Sequence, residues 1–311
     1  MKGLELARKY YLEVGREMLC SNFPELFPRL AIGLIGSGSE CYGYDDELSC
    51  DHDFEPGFCI FIPDDLDSKT VFALERAYSA LPQEFCGYKR SRVGAVGGNR
   101  HGVIKTSRFF EDKTGTPDGV MSLVDWLTVP EYALFEATNG EVFEDNLGEL
   151  SKIRERLSYY PEDVRLKKLA GNLLIMAQSG QYNFNRLLTR GETAAAQLAV
   201  FEFVKSAMSV IFLLNKKYMP YYKWSFRALR EMPVLGDTAK LFEYLLTSKN
   251  SENEGYKKGI LIERLCADIA REVRRENLVP KYDNELERVS YTVNDKIKDP
   301  DLRNSHILTA I

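Results

Sequence analysis

Leu30-Ala31-Ile32-Gly33-Leu34-Ile35-Gly36-Ser37-Gly38-Ser39 sets a Gly-Ser turn directly behind six residues that read as a buried strand. Further along, Asp51-His52-Asp53 opens a second apolar segment that runs to Phe58-Cys59-Ile60-Phe61-Ile62, so residues 51–62 read as another strand. Residues two apart on a strand point to the same face, which would aim the carboxylates of Asp51 and Asp53 at one point in space. Two carboxylates that close repel each other unless a cation lies between them. Hard oxygen ligands suit Mg²⁺ or Mn²⁺, and such a site commonly completes its coordination with the phosphates of a substrate. The turn amides of Gly36, Ser37 and Ser39, with the Ser37 hydroxyl, are placed to hold those phosphates, because free backbone N–H groups favour anions. His52 falls on the opposite strand face and reads as a packed side chain rather than a ligand.

Other motifs fail against the same stretch. A GxGxxG fingerprint needs glycine where Cys41 stands, and no Gly-Lys-Ser/Thr follows for a P-loop. Neither Ser37 nor Ser39 has the flanking glycines of a nucleophile elbow. A calcium loop begun at Asp51 would need glycine and glutamate where Pro56 and Ile62 stand.

Outward from this segment the chain divides. Sixteen of its 22 glycines lie at or before Gly148, as strand-and-turn structure requires. Leu4, Ala7, Tyr11, Val14 and Met18 predict a first helix. Val71, Leu74, Tyr78 and Leu81 predict another over 68–81, and 103–110 reads as a strand. From about Ser122 the period is helical and stays so: a helix from Pro161 to Thr189, a break at Gly191, an apolar helix over 194–217 that Thr193 caps, and further helices at 221–231, 236–249 and 257–279. The last thirty residues read as a docked or loose tail. The expected architecture is an α/β (α+β) domain with a mixed sheet over 1–147, followed by an all-α helical bundle over 148–311.

The 311 residues carry a net charge of −5, with 44% hydrophobic and 28% charged residues, which excludes a disordered chain. A net negative molecule offers no global attraction to nucleic acid or anionic lipid, so neither is an expected partner. The longest apolar stretches, such as Ser206 to Leu214, are short for a membrane span, and Glu5 stands where a secretion signal wants an apolar core, so a cytoplasmic location is expected. Six cysteines without a CxxC pair read as reduced, buried thiols, and three histidines are too few for a His-rich zinc cluster.

Gly36-Ser37 followed by Asp51-His52-Asp53 resembles the nucleotidyltransferase superfamily of the DNA polymerase beta type, whose minimal and aminoglycoside-type members also carry a helical bundle. The strings GYDDELSCDHDFEPGF, NGEVFEDNLG, YPEDVRLKKLA, GQYNF and NKKYMPYYKW, within residues 30–230, look like a bacterial branch known as a domain of unknown function. The resemblance implies that Asp51 and Asp53 bind the metal ions and that Gly36 and Ser37 bind the nucleotide phosphates. It implies a transferase moving a nucleoside monophosphate from a nucleoside triphosphate, ATP being the expected one, to a hydroxyl of a small molecule or protein. The superfamily usually adds a third carboxylate on a later strand, where this chain has Ile104 and Lys105. That departure favours the alternative of a non-catalytic nucleotide-binding module, regulatory or antitoxin-like.

Three other features are candidates. Lys89, Arg90, Arg92, Arg100, Lys105 and Arg108 follow an acidic stretch and suit a triphosphate or a polyanionic acceptor. Gln178, Gln181, Tyr182, Asn185, Arg186 and Arg190 would line an acceptor pocket. Tyr221-Tyr222-Lys223-Trp224 would supply an aromatic wall.

Overall fold

An apolar strand with no polar position needs cover on both faces and hydrogen-bonding neighbours on both edges. In the computed structural model, β1 (Ala31–Leu34) has both: it is buried throughout and pairs antiparallel with β2 (Cys59–Ile62) and with a later strand. The structure describes residues 1–51, 54–90 and 100–311, and at 50, 51 and 252 the backbone alone. The architecture is an N-terminal region with a mixed four-stranded sheet and helices, followed by a mainly helical C-terminal part. Contacts separate two compact units, Met1–Asp125 with Val129–Ser158, and Trp126–Thr128 with Tyr159–Ile311.

The first unit opens with α1 (Gly3–Tyr10), a π-helical turn (Tyr11–Gly15) and α2 (Arg16–Asn22). After β1 come α3 (Ser39–Tyr42), a 3-10 turn (Glu47–Asp51), β2, α4 (Ser68–Ser79) and a two-residue hairpin of β3 (Glu84–Phe85) and β4 (Tyr88–Lys89). β5 (Gly102–Lys105), α5 (Thr106–Thr114), α6 (Leu123–Thr128), α7 (Glu131–Thr138), β6 (Glu141–Asp145) and α8 (Glu149–Arg156) follow. The sheet order is β5-β2-β1-β6, with β2 and β5 parallel and the other pairs antiparallel.

Alternation along β2 explains its unbroken apolar run. Ile60 and Ile62 join Ile32, Phe58, Tyr10, Tyr11, Leu74 and Tyr78 in one core cluster. Phe61, on the other face, meets Phe109 of α5 edge-on at 5.4 Å.

Three expectations are corrected. Among the described residues, the strand read over 51–62 covers Cys59–Ile62, and Asp51 closes a 3-10 turn instead. Of 103–110, only the first residues are strand: β5 ends where its partner β2 ends, and the chain turns into α5 at Thr106. The helical period from Ser122 is interrupted by β6, an edge strand whose acids hide it. Glu141 pairs with Arg8, and Glu144 with Arg16 and the Tyr11 hydroxyl, so arginines and a tyrosine of the first helical segments hold this acidic strand against the sheet.

The second unit contains α9 (Glu162–Met176), continued by a π-helical stretch (Ala177–Phe184) and α10 (Asn185–Thr189). Next come α11 (Thr193–Leu214), α12 (Tyr222–Arg230), α13 (Ala239–Thr247), α14 (Glu252–Arg275), α15 (Leu286–Asn294) and α16 (Pro300–Asn304). Thr193 opens α11 without capping it; Glu192 holds the cap position and makes no side-chain cap bond. The tail is docked and helical: Leu286, Val289 and Val293 are buried, Lys167 of α9 donates to Asn294 Oδ1 at 3.0 Å, and Asp163 accepts from the amides of Lys298 and Asp299. Counted as a whole helix rather than an unbroken run, α11 is long and apolar enough to cross a membrane; here 67% of its most apolar window is buried within the unit.

The five described cysteines are free. Burial pushes the Cys59 thiol up to about 12 and raises those of Cys41 and Cys266, and burial likewise raises the Tyr11 and Tyr78 phenols above their usual range. These groups stay neutral in the fold, with folded values above the unfolded ones. Their contribution is therefore intact below the unfolded values and lost as pH climbs toward the folded ones. We expect the melting temperature to fall from about pH 8.5 upward, where unfolded thiols ionise, and the fall to be smaller in a Cys41→Ala/Cys59→Ala double variant. Circular-dichroism melts at pH 7.5 and pH 10 check this; equal melting temperatures for the wild-type chain would contradict it.

Candidate functional site

β1 ends at Leu34, and Ile35 leads into a turn that only glycine can make at two of its positions: Gly36 has φ 107° and Gly38 φ 121°. The Gly36 peptide is clamped from both sides by Asn139, whose Oδ1 accepts from the Gly36 amide at 2.8 Å and whose Nδ2 donates to its carbonyl at 2.8 Å. Asn139 is itself set by the end of α7, its amide bonded to Phe135 O. The Gly36 amide is thereby spent inside the protein, and this residue shapes the turn rather than offering it a donor. The next three amides differ. Among the described residues, no hydrogen bond is donated by the N–H groups of Ser37, Gly38 or Ser39, and the Ser37 side chain is exposed.

Charge is arranged around this turn. Arg100, just before β5, pairs with the buried Glu40 of α3 at 2.9 Å. A side chain on Gly38 would meet both partners, 2.6 Å from Arg100 Nη1 and 2.6 Å from Glu40 Oε1, so the bare α-carbon is the floor on which the pair rests. Arg154 of α8 donates to Thr138 O at 2.8 Å, next to the Asn139 clamp, and its Nη1 is buried without a hydrogen-bond partner among the described residues. Burial holds the Arg154 guanidinium below its usual range. Glu136 accepts from Tyr42 at 2.7 Å and pairs with Lys113.

A cleft of about 400 Å³ is lined by Met1, Lys2, Glu5, Asp45, Asp46, Glu47, Phe54 and Tyr88. Asp45, buried, accepts from the Gly3 amide at 2.9 Å and pairs with Lys2. Phe54 and Tyr88 lie with ring centroids 5.0 Å apart. Glu47 begins the 3-10 turn that Asp51 ends.

His52, Asp53 and the side chain of Asp51 lie outside the described residues, as does Arg92. Among the described residues, no group of three His, Cys, Asp or Glu side chains stands together as a metal site. The remaining bases are dispersed. Arg90 donates to Tyr78 O and stacks over the Tyr78 ring at 4.6 Å, and Arg108 pairs with its helix neighbours Glu111 and Asp112. Of the described bases in that stretch, Arg100 is the one at the Gly-Ser turn. A large through-space separation in sequence hid both the Asn139 clamp and the Arg100–Glu40 pair from any local pattern.

Residues 126–225 match a family described as a domain of unknown function, DUF4037. No curated protein and no solved structure matches the chain. The DUF4037 segment begins after the Gly-Ser turn, yet it contains Asn139, which clamps Gly36, and β6, which completes the sheet. It also contains the polar cluster near the end of the first long helix of the second unit. There Gln181 is committed to structure, donating to Glu263 and to Asn284 O and accepting from the Leu286 amide, while the guanidinium of Arg186 lies 4.6 Å from the Tyr182 ring centroid. The segment closes with Tyr221 and Tyr222, which are exposed with rings 4.4 Å apart, and with Lys223 over Trp224.

Proposed function

We propose that the N-terminal unit is a metal-dependent nucleotidyltransferase that binds a nucleoside triphosphate, ATP by preference, at the turn Gly36–Ser39. The observation that carries the reading is the row of three amides at Ser37, Gly38 and Ser39, unclaimed by the described protein and mounted on a turn that Asn139 holds rigid. Unpaired amides converging at a turn form a concavity that favours anions. Arg154, half-buried and without a carboxylate partner among the described residues, donates to Thr138 O beside the clamp and brings a positive charge to that end of α7. The resemblance of Gly36-Ser37 and Asp51-His52-Asp53 to the DNA polymerase beta type of nucleotidyltransferase supports the same reading.

In the reaction, the acceptor hydroxyl oxygen bonds to the α-phosphorus, the bond from that phosphorus to the bridging oxygen breaks, and pyrophosphate leaves while the hydroxyl proton passes to solvent. The turn amides and the Ser37 hydroxyl hold the phosphate chain in line, which lowers the barrier by positioning and by charge stabilisation. Asp51 and Asp53 are the residues proposed to hold Mg²⁺ or Mn²⁺, whose chemistry when bound is to neutralise the triphosphate and acidify the attacking hydroxyl. The cleft bounded by Glu47, Phe54 and Tyr88 is the proposed seat of a small-molecule or protein acceptor.

Incubating the chain with each of the four ribonucleoside triphosphates and Mg²⁺ or Mn²⁺, and measuring pyrophosphate, tests the proposal. Asp51→Asn is expected to lower release by about two to three orders of magnitude, and Ser37→Ala to raise KM by roughly tenfold. Absence of both release and nucleotide binding sinks the reading. Tight binding without release under any acceptor would favour a regulatory or antitoxin-like module, for which Ile104 and Lys105 on β5, in place of a third carboxylate, are the supporting observation.

A further inference from the structure

We infer that the loop joining α11 to α12 is a binding surface for single-stranded nucleic acid, with a base stacked on Tyr222 and phosphates held by Lys216, Lys217 and Lys223. This surface belongs to the second unit and is independent of the nucleotide reading above. From Phe203 to Arg230 the chain has no Asp or Glu, and its bases there are Lys205, Lys216, Lys217, Lys223, Arg227 and Arg230. Burial sorts the loop itself. Tyr218 and Pro220 are buried, while Lys216, Lys217, Tyr221, Tyr222 and Lys223 are exposed.

The loop is held from behind. Asn215 bonds both backbone groups of Val234, donating to its carbonyl and accepting from its amide at 2.9 Å each. The Tyr218 ring meets that of Tyr160 edge-on at 4.9 Å. Lys216 stands at φ 52°, the left-handed position after a helix where glycine is the usual residue, and its amide bonds to Leu213 O. A Cβ costs free energy in that conformation, so the chain places a lysine where backbone energetics alone favours glycine. Lys216, Lys217 and Lys223 form no ion pair among the described residues. Glu162 is near Lys216, but its carboxylate is bound through both oxygens by Arg165.

Tyr221 backs Tyr222. Their ring centroids lie 4.4 Å apart, and Tyr222 is 76% exposed, so its ring offers an open face. An aromatic face accepts any base, and cations around it meet the phosphates that follow and precede that base. A lipid surface fits less well. The buried side of α12, with Ala228 and Leu229, is spent on packing within the unit and leaves no apolar face to insert. The chain's net charge of −5 does not decide the matter at contact, because salt screens exposed charges beyond about 8 Å at physiological ionic strength.

The test is fluorescence anisotropy of a labelled uridine octanucleotide titrated with the full chain. Three lysines on a single strand predict that log affinity falls with log salt at a slope of about −2, roughly a twentyfold loss for a fourfold rise in salt. Tyr222→Ala is expected to weaken binding by at least about fivefold at an unchanged slope, and Tyr222→Phe to keep it. The double variant Lys216→Gly/Lys217→Gln is expected to flatten the slope to about −0.7, the value for one remaining lysine. Lys216→Gly alone is expected to melt no lower than the wild-type chain, since glycine relieves the left-handed backbone, and its loss of affinity is then not a loss of fold.

An RNA duplex of the same length is expected to bind at least about fivefold more weakly, because its bases are already stacked on one another. Failure of the wild-type chain to bind the octanucleotide at low salt overturns the proposal, and so does wild-type affinity in both Tyr222→Ala and the double lysine variant. Phosphatidylcholine–phosphatidylserine vesicles bound more tightly than the octanucleotide, and released by the same variants, would make the surface a lipid site and overturn it as well. Each of these outcomes leaves the nucleotide reading to its own test, pyrophosphate release.

Discussion

Gly140→Ala is expected to cost at least about 3 kcal/mol and to unfold the N-terminal unit at physiological temperature, a large part of a domain's total of roughly 5–15 kcal/mol. Gly140 stands at φ 61° between the Asn139 clamp and β6. A methyl group there would be driven into the carbonyl oxygen of Leu34 and would lie 2.8 Å from the α-carbon of Ile35. Both obstacles are backbone, so no side chain can swing aside. The left-handed conformation adds about 1–2 kcal/mol for any residue with a Cβ. Relief requires β6 to lift from β1, which breaks the pairing of Gly33 with Val142 and of Leu34 with Glu141 and also withdraws Asn139 from Gly36. Urea titration followed by circular dichroism measures the effect, and a midpoint equivalent to a loss below 1 kcal/mol would show that the turn is not held in this way. Nucleotide binding should disappear in the same variant, because the amides of Ser37, Gly38 and Ser39 are presented by the turn that Gly140 supports.

Lys258→Ala is the second large effect, and it belongs to the helical unit. The Lys258 ammonium is fully buried, yet it donates to Ser248 O at 2.7 Å, Asn250 Oδ1 at 2.8 Å and Gln197 Oε1 at 3.1 Å, which uses all three of its hydrogens. Burial lowers its pKa, and the charge of Glu254 opposes the shift. Truncation leaves three acceptors facing a void where the stem had been, at about 3–5 kcal/mol in total. That predicts a fall in the unit's melting temperature on the order of 10 °C. Lys258→Met keeps the stem and loses only the donors, so it should fall between the two. A wild-type melting temperature in Lys258→Ala would mean that water replaces the ammonium at no cost.

Elements whose own periodicity states their burial were legible. β1 is apolar at every position because it lies inside the sheet, and α4 and α11 carry their spacing openly. β6 was not legible, because three of its five residues are acids and its place is decided by Arg8, Arg16 and β1, all more than a hundred residues away. The switch at Thr106 was hidden for a related reason: the apolar run continues into Phe109 and Phe110, and only the length of β2 ends the strand. In the tail, Leu286, Val289 and Val293 keep helical spacing, but the polar residues between them masked a single narrow buried face.

Of the candidate site, the Gly-Ser turn after β1 stood where the reading put it. The Gly36 amide, expected to face phosphate, is bonded to Asn139 Oδ1. Among six bases counted together by sequence, Arg100 is distinguished by Glu40, a carboxylate sixty positions earlier that no charge pattern singles out.

The central strand also constrains how the chain comes into being. Ala31 pairs with Phe61 on one side and with Asp145 on the other, so the first neighbour is made within thirty residues and the second only after more than a hundred. During synthesis, the open edge of β1 must wait for the ribosome to deliver β6, and so must the Gly36 turn, which has no clamp until Asn139 emerges. Long-range closure of this kind slows folding and leaves a strand edge exposed in the interval. Until Glu141–Asp145 has been made, the β1 edge is therefore the one the sheet leaves open to pairing with another chain.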